Sequence, residues 1–173
     1  VMRMGSKDHY RPDLVLFVNG IPFSVIECKR PDIKNPIKQA ISQHLRNQHE
    51  DGIRGLYIYA QNLLSISSSS GRYATLGTPE KFWSHWEEKF KNKKEENRYY
   101  EDIYKQKNKP LSKEDWSIIF GERYLYVADY FKTLELESVL PTQQDFYLYG
   151  LCSPERLLNF TFNFTLYYHG EKK

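Results

Sequence analysis

The chain has 173 residues, enough for one domain with a sizeable core. An apolar content of 40%, with 16% aromatic, excludes a disordered chain. Its 25 basic and 22 acidic residues leave a net charge of +3, which excludes nothing by itself and allows a polyanionic partner only through local clustering.

The first elements are a predicted pair of strands, LVLFV (14–18) and PFSVIEC (22–28), joined by Asn19-Gly20, a strong hairpin signal. Apart from their charges both are apolar on both faces, as central strands are. NPIKQAISQHLRNQHED then predicts a helix with Asn35 as N-cap, Pro36 in the first turn, a stripe of Ile37, Ala40, Ile41 and His44 or Leu45, and Gly52 as its end. GLYIYA (55–60) and LLSISS (63–68) predict further strands, a serine-rich loop follows, and YATLGT returns to the sheet or its edge. Thr78-Pro79-Glu80 predicts a second helix carrying Phe82, Trp83, Trp86 and Phe90 as core aromatics.

Residues 92–110 mix both charge signs and predict a solvated helix or linker. Ser112 caps a helix through Trp116 and Ile119, a helical pattern continues through 127–140, and Ser153-Pro154-Glu155 opens another. FTFNFTLYY (160–168) has the alternation of a strand. This order predicts a mixed α/β, or α+β, domain with a small central sheet and a helical C-terminal part. The expected divisions are a core at 1–91, the charged segment at 92–110 and a helical extension at 111–173.

Cys28 and Cys152 lie far apart without metal-binding spacing, so neither a disulfide framework nor a structural zinc is expected, and a reducing cytoplasm fits. No apolar run approaches the ~20 residues that span a bilayer. The start lacks the apolar region of a signal peptide, and the two Asn-Phe-Thr sequons at Asn159 and Asn163 read as chance. Only twelve residues precede Asp13, so the chain is expected to be a piece of something longer.

Charge inside the first hairpin carries the chemistry. Glu27 and Lys29 share a strand face and Cys28 points the other way. A plain two-residue loop would place Asp13 opposite Ile26, on the wrong face; an odd loop with Gly20 left-handed in a bulge, or a bend at Pro12, would bring Asp13 to Glu27. Two carboxylates in an apolar setting need a cation. Lys29 supplies one charge, and a hard divalent ion held by Asp13, Glu27 and the Cys28 backbone carbonyl would supply two more, a set suited to phosphodiester hydrolysis. Arg30 and Arg46 are candidate phosphate contacts, whereas Lys34 and Lys38 read as ordinary surface charge. His9 reads as a turn residue, and His44 and His49 lack the spacing of a zinc pair.

Pro12-Asp13 followed by Glu27-Cys28-Lys29 is similar to the motif of the PD-(D/E)xK nucleases. RPDLVLFVNGIPFSVIECKRP, the glutamine-rich helix after it and GLYIYAQNLLSISSSSGRYATLGT resemble the N-terminal nuclease domain of the R subunit of type I restriction enzymes, and LYGLCSPERLLNFTFNFTLYY resembles the segment before that family's motor. The resemblance implies a restriction-endonuclease-like central mixed sheet with a β-hairpin active site flanked by helices. It implies that Asp13 and Glu27 bind Mg²⁺ and that Lys29 is catalytic. It also implies a supporting glutamine, Gln43 or, one turn earlier, Gln39; Asn47 stands where relatives often have tyrosine. Relatives also tend to carry an acidic residue on a helix before the first strand, and that residue is expected to lie ahead of where this chain starts.

The implied partners are double-stranded DNA, a motor domain of the same full-length chain, and methyltransferase and specificity subunits, with no membrane. No Gly-x-x-x-x-Gly-Lys-Ser/Thr is present, so ATP would act only through that motor. The alternative is a non-catalytic nuclease-fold module for DNA binding or motor docking.

Overall fold

A computed structural model describes residues 10–121, 125–134 and 137–163, so His9 and the tail from 164 lie outside the described residues. Strands β1 (Leu14–Val18) and β2 (Ile21–Cys28) form an antiparallel hairpin, and β3 (Asn62–Ile66) runs parallel to β2. Strand β4 (Gly71–Ala74) is antiparallel to β3, giving a four-stranded mixed sheet in the order β1-β2-β3-β4. The parallel step needs a crossover, and helix α1 (Pro36–Asn47) supplies it.

The hairpin turn is the short one: Asn19 and Gly20 both have positive φ, 50° and 79°, and Val18 pairs with Ile21. Left-handed conformation at both central residues is what a two-residue turn needs, and Asn-Gly tolerates it. Parity is changed farther on. Phe17 pairs with Pro22 but Leu16 pairs with Ser24, so Phe23 is an extra residue bulged from β2. The odd loop expected at the turn is therefore replaced by an even loop and a bulge. Pro22 is tolerated there because β2 begins to pair with β3 only at Ser24.

Alternation along β2 and β3 divides the core. Val25 and Leu63 face α1 in a cluster with Ile41, Tyr57 and Trp83, while Ile26, Leu64 and Ile66 face the other way onto Tyr147 and Leu151 of helix α6 (Gln143–Cys152). Gly71 makes that second contact possible, since a Cβ there would lie 2.7 Å from the Tyr147 ring. Tyr147 donates its hydroxyl to the Gly71 carbonyl at 2.7 Å. The C-terminal part is helical as expected: α3 (Lys93–Lys107), α4 (Lys113–Phe120), α5 (Leu125–Leu134), α6 and α7 (Pro154–Asn163).

Several local expectations are corrected. Among the described residues strand β1 is an edge rather than a central strand, with Leu14 and Phe17 exposed. Asn35 sits at the cap position of α1, but with φ 51° and no side-chain cap bond. That helix ends at Asn47, and the chain turns through Gly52, whose missing Cβ leaves room for the Asn47 carbonyl. Residues 55–60 are not a strand. Helix α2 (Arg54–Tyr57) forms instead, because Ile53, Tyr57 and Ala60 are the buried residues and their spacing is helical.

The second helix after Thr78 is reduced to one 3-10 turn, Glu80–Phe82. Beyond it Ser84 and Tyr73 exchange backbone hydrogen bonds, so the segment lies against the edge of β4, with Trp83 buried and Phe82 exposed. Of the helical pattern over 127–140, α5 holds the residues to Leu134 while 137–140 are not helical, and residues 160–163, expected as the start of a strand, lie in α7.

Candidate active site

Strand order and the bulge determine which side chains meet. With Leu14 opposite Ile26 and Val15 opposite Val25, Asp13 comes level with Glu27 on the face that α1 covers. Asp13 is held there by the Cys28 backbone N–H, which donates to its Oδ2 at 2.7 Å. The Lys29 backbone N–H donates to the Ile66 carbonyl at 2.9 Å, extending the parallel pairing and fixing the lysine at the carboxyl end of β2. Its Nζ lies 3.6 Å from Glu27 Oε2 and 3.8 Å from Asp13 Oδ2, and it donates to Gln43 Oε1 at 2.9 Å.

Glu27 is 0% exposed, and among the described residues neither of its carboxylate oxygens makes a hydrogen bond of ordinary length, the Lys29 ammonium standing off at 3.6 Å as its ion-pair partner. Burial, then the negative charge of Asp13, pushes its pKa from 4.5 to about 7, against the opposing pull of Lys29. Ser65, the β3 residue in register with Glu27, is also buried with its hydroxyl unpartnered. Buried oxygens without donors fit a hard cation, and Mg²⁺ is commonly held by one or two carboxylates, its other positions filled by water and substrate phosphate. Among the described residues no group of three or more His, Cys, Asp or Glu side chains converges, so Asp13 and Glu27 would be the carboxylates of such a site. The Cys28 thiol packs on the opposite face, and burial, followed by the two carboxylates, pushes it up to about 11. It is neutral at physiological pH, which leaves only the Cys28 backbone as a candidate ligand.

The supporting glutamines separate. Gln43 reaches Lys29, whereas Gln39 donates to the Lys34 carbonyl. The phosphate candidates separate too: Arg30 is engaged by Asp32 through two contacts of 2.6 and 3.0 Å, while Arg46 lines the cleft above Lys29. Lys34 and Lys38 line that same cleft. His44 is a core residue, between the Tyr57 hydroxyl at 3.2 Å and the Leu64 carbonyl at 2.9 Å, and burial lowers its pKa to about 4. Ser65 was not legible in the sequence, because its place beside Glu27 depends on the register of a parallel strand far along the chain.

Residues 2–82 match the family described as type I restriction enzyme R protein N terminus. That segment is similar to this family over a little under half of the chain. A protein of Methanocaldococcus jannaschii provisionally named type I restriction enzyme MjaIXP endonuclease subunit is 36% identical over 76 residues. The match covers 44% of this chain and 7% of that protein, so the chain corresponds to a small part of its relative. No solved structure matches the chain. The matched segment contains the whole described sheet, α1 and the Asp13, Glu27, Lys29 and Gln43 side chains, and the mixed sheet between helices is a restriction-endonuclease-like α+β arrangement. Among the described residues no helix is long and apolar enough to cross a membrane.

Proposed function

We propose that this chain supplies the nuclease domain of a type I restriction enzyme R subunit, hydrolysing phosphodiester bonds of double-stranded DNA with Mg²⁺. The observation that carries the reading is the buried Glu27 carboxylate, its oxygens without a hydrogen bond of ordinary length among the described residues, beside Asp13 and Lys29. Asp13 and Glu27 would hold the ion, with the Cys28 carbonyl as a further oxygen. Bound there, Mg²⁺ supplies Lewis acidity to the phosphodiester and to water.

The protein's own groups do the rest. Glu27 must shed its proton, at a pKa of about 7, before its carboxylate is available. Lys29, held by Gln43, directs a fixed positive charge toward negative charge developing on the phosphate oxygens. Gln43 restrains the lysine without taking its charge. Gln39, bonded to the Lys34 carbonyl, is left without a part in this step.

The proposal extends to the whole assembly: 1–91 as the nuclease core, 92–110 as a charged helix and 111–173 as a helical extension toward a motor domain. Methyltransferase and specificity subunits would be partners, in the cytoplasm. Cleavage of plasmid DNA by the assembled enzyme, with Mg²⁺ and ATP supplied, tests it. Asp13→Asn and Glu27→Gln should each lower cleavage at least about a hundredfold, the scale on which removal of one preorganised charged group acts. Wild-type rates in both variants would defeat the metal assignment.

A further inference from the structure

The cleft in front of Lys29 has an unusual charge for a protein with a net charge of only +3. Among the described residues Lys29, Lys34, Lys38 and Arg46 line it and no acidic side chain does, and its volume is about 500 Å³. From Ile33 to His49 the chain contains no Asp or Glu, whereas α3 interleaves its lysines with glutamates and pairs them, Lys93 with Glu96 and Lys105 with Glu101. Among the described residues the Lys34 ammonium and the Arg46 guanidinium make no hydrogen bond or ion pair. The one ion pair of Lys38 among the described residues is with Glu80 at 3.8 Å between exposed side chains, a pair that water and salt weaken.

Lys38 and Arg46 are eight residues apart on α1, about 12 Å along its axis at 1.5 Å per residue. That length corresponds to three or four nucleotides of one strand at about 3.4 Å each. A small anion cannot meet cations so spread, but a polyphosphate backbone can. The Lys29 ammonium lines the same cleft, so a strand following the row passes the carboxylate pair.

Resting on the nuclease reading above, we propose that Lys34, Lys38 and Arg46 form a phosphate track that carries one strand of duplex DNA along α1 to Lys29. Contacts of this kind position a duplex without reading its sequence. The test is fluorescence-anisotropy binding of a short duplex of arbitrary sequence to the 173-residue chain, in EDTA and over a range of salt concentrations. Lys34→Ala/Arg46→Ala should weaken binding at least tenfold. It should also make the slope of log affinity against log salt shallower by about 2, since each lost phosphate contact removes about 0.9.

Lys34→Arg/Arg46→Lys should restore both quantities. Lys94→Ala/Lys105→Ala, an equal charge loss on α3, should change neither beyond a few-fold. Absence of wild-type binding, or equal losses in the two alanine pairs, overturns the track. Magnesium-dependent cleavage is read separately: a chain that binds through the row but does not cut keeps the track and loses the nuclease reading. A chain that cuts equally well with the row removed does the reverse.

Discussion

Glu27 is the residue on which the most depends, and its cost to the fold is measurable. Its pKa rises from 4.5 unfolded to about 7 folded, so folding favours the neutral form. Its contribution to stability is therefore fullest below pH 4.5 and is lost as pH rises toward 7. His44 works in the opposite sense. Its pKa falls from 6.5 to about 4, so stability that it gives above pH 6.5 is lost as pH drops toward 4, to a limit of about 3 kcal/mol at 1.36 kcal/mol per unit. The two nearly offset each other between pH 4.5 and 6.5 in the metal-free protein.

Glu27→Gln should therefore raise the melting temperature at pH 8 in EDTA, and should expose the acid lability of His44 as a steeper fall from pH 7 to pH 5. In the wild type Mg²⁺ should raise the melting temperature at pH 8, far less at pH 6, where a proton competes for the carboxylate. The glutamine variant should show no such rise. An equal Mg²⁺ effect in both proteins would mean that the ion binds elsewhere.

Among elements, the contact between β4 and α6 can be tested alone. Gly71 lets the Tyr147 ring lie against its Cα, so Gly71→Ala should destabilise the fold by about 1–3 kcal/mol through overpacking. In a Tyr147→Ala background the same substitution should cost much less, a coupling that a double-mutant cycle in urea would read. Simple addition of the two costs would show that the ring and the glycine are independent.

The sequence disclosed elements where one local signal dominated: β1, β2, α1 and β3 lie within a residue or two of expectation, apart from the early end of α1. Segments shared between competing patterns were misread. GLYIYA has strand-like residues, but burial selects Ile53, Tyr57 and Ala60, whose helical spacing begins before that stretch. The 82–90 aromatics fit one helix face, yet backbone pairing of Ser84 with Tyr73 holds the chain extended there. Helix α6 carries a single local signal, Thr142 and Asp145 at its start, with Asp145 Oδ2 accepting from both the Thr142 N–H and its hydroxyl, and no apolar stripe to extend it.

At the scale of the molecule, the sheet lies between α1 on one face and α6 on the other, and the candidate site opens where β2 ends and α1 begins. Grouping of Asp13, Glu27 and Lys29 was legible as a motif, and strand parity called for a bulge or bend to permit it; the bulge's place at Phe23, away from the turn, was not legible. An extra residue within a continuous apolar strand leaves no compositional mark, since Phe23 suits either a paired or a bulged position. Gln43 was legible as a supporting residue only through the resemblance, with Gln39 as its alternative, and its contact with Lys29 emerges from the packing of α1 on β3 and β2.

The most direct measurement is Mg²⁺-dependent cleavage of duplex DNA by the assembled enzyme carrying Lys29→Ala, with DNA binding and ATP hydrolysis measured in the same preparation. The expected result is a loss of cleavage of at least about a hundredfold, with binding and ATP hydrolysis retained. Cleavage at the wild-type rate would contradict the active site assigned to Asp13, Glu27 and Lys29.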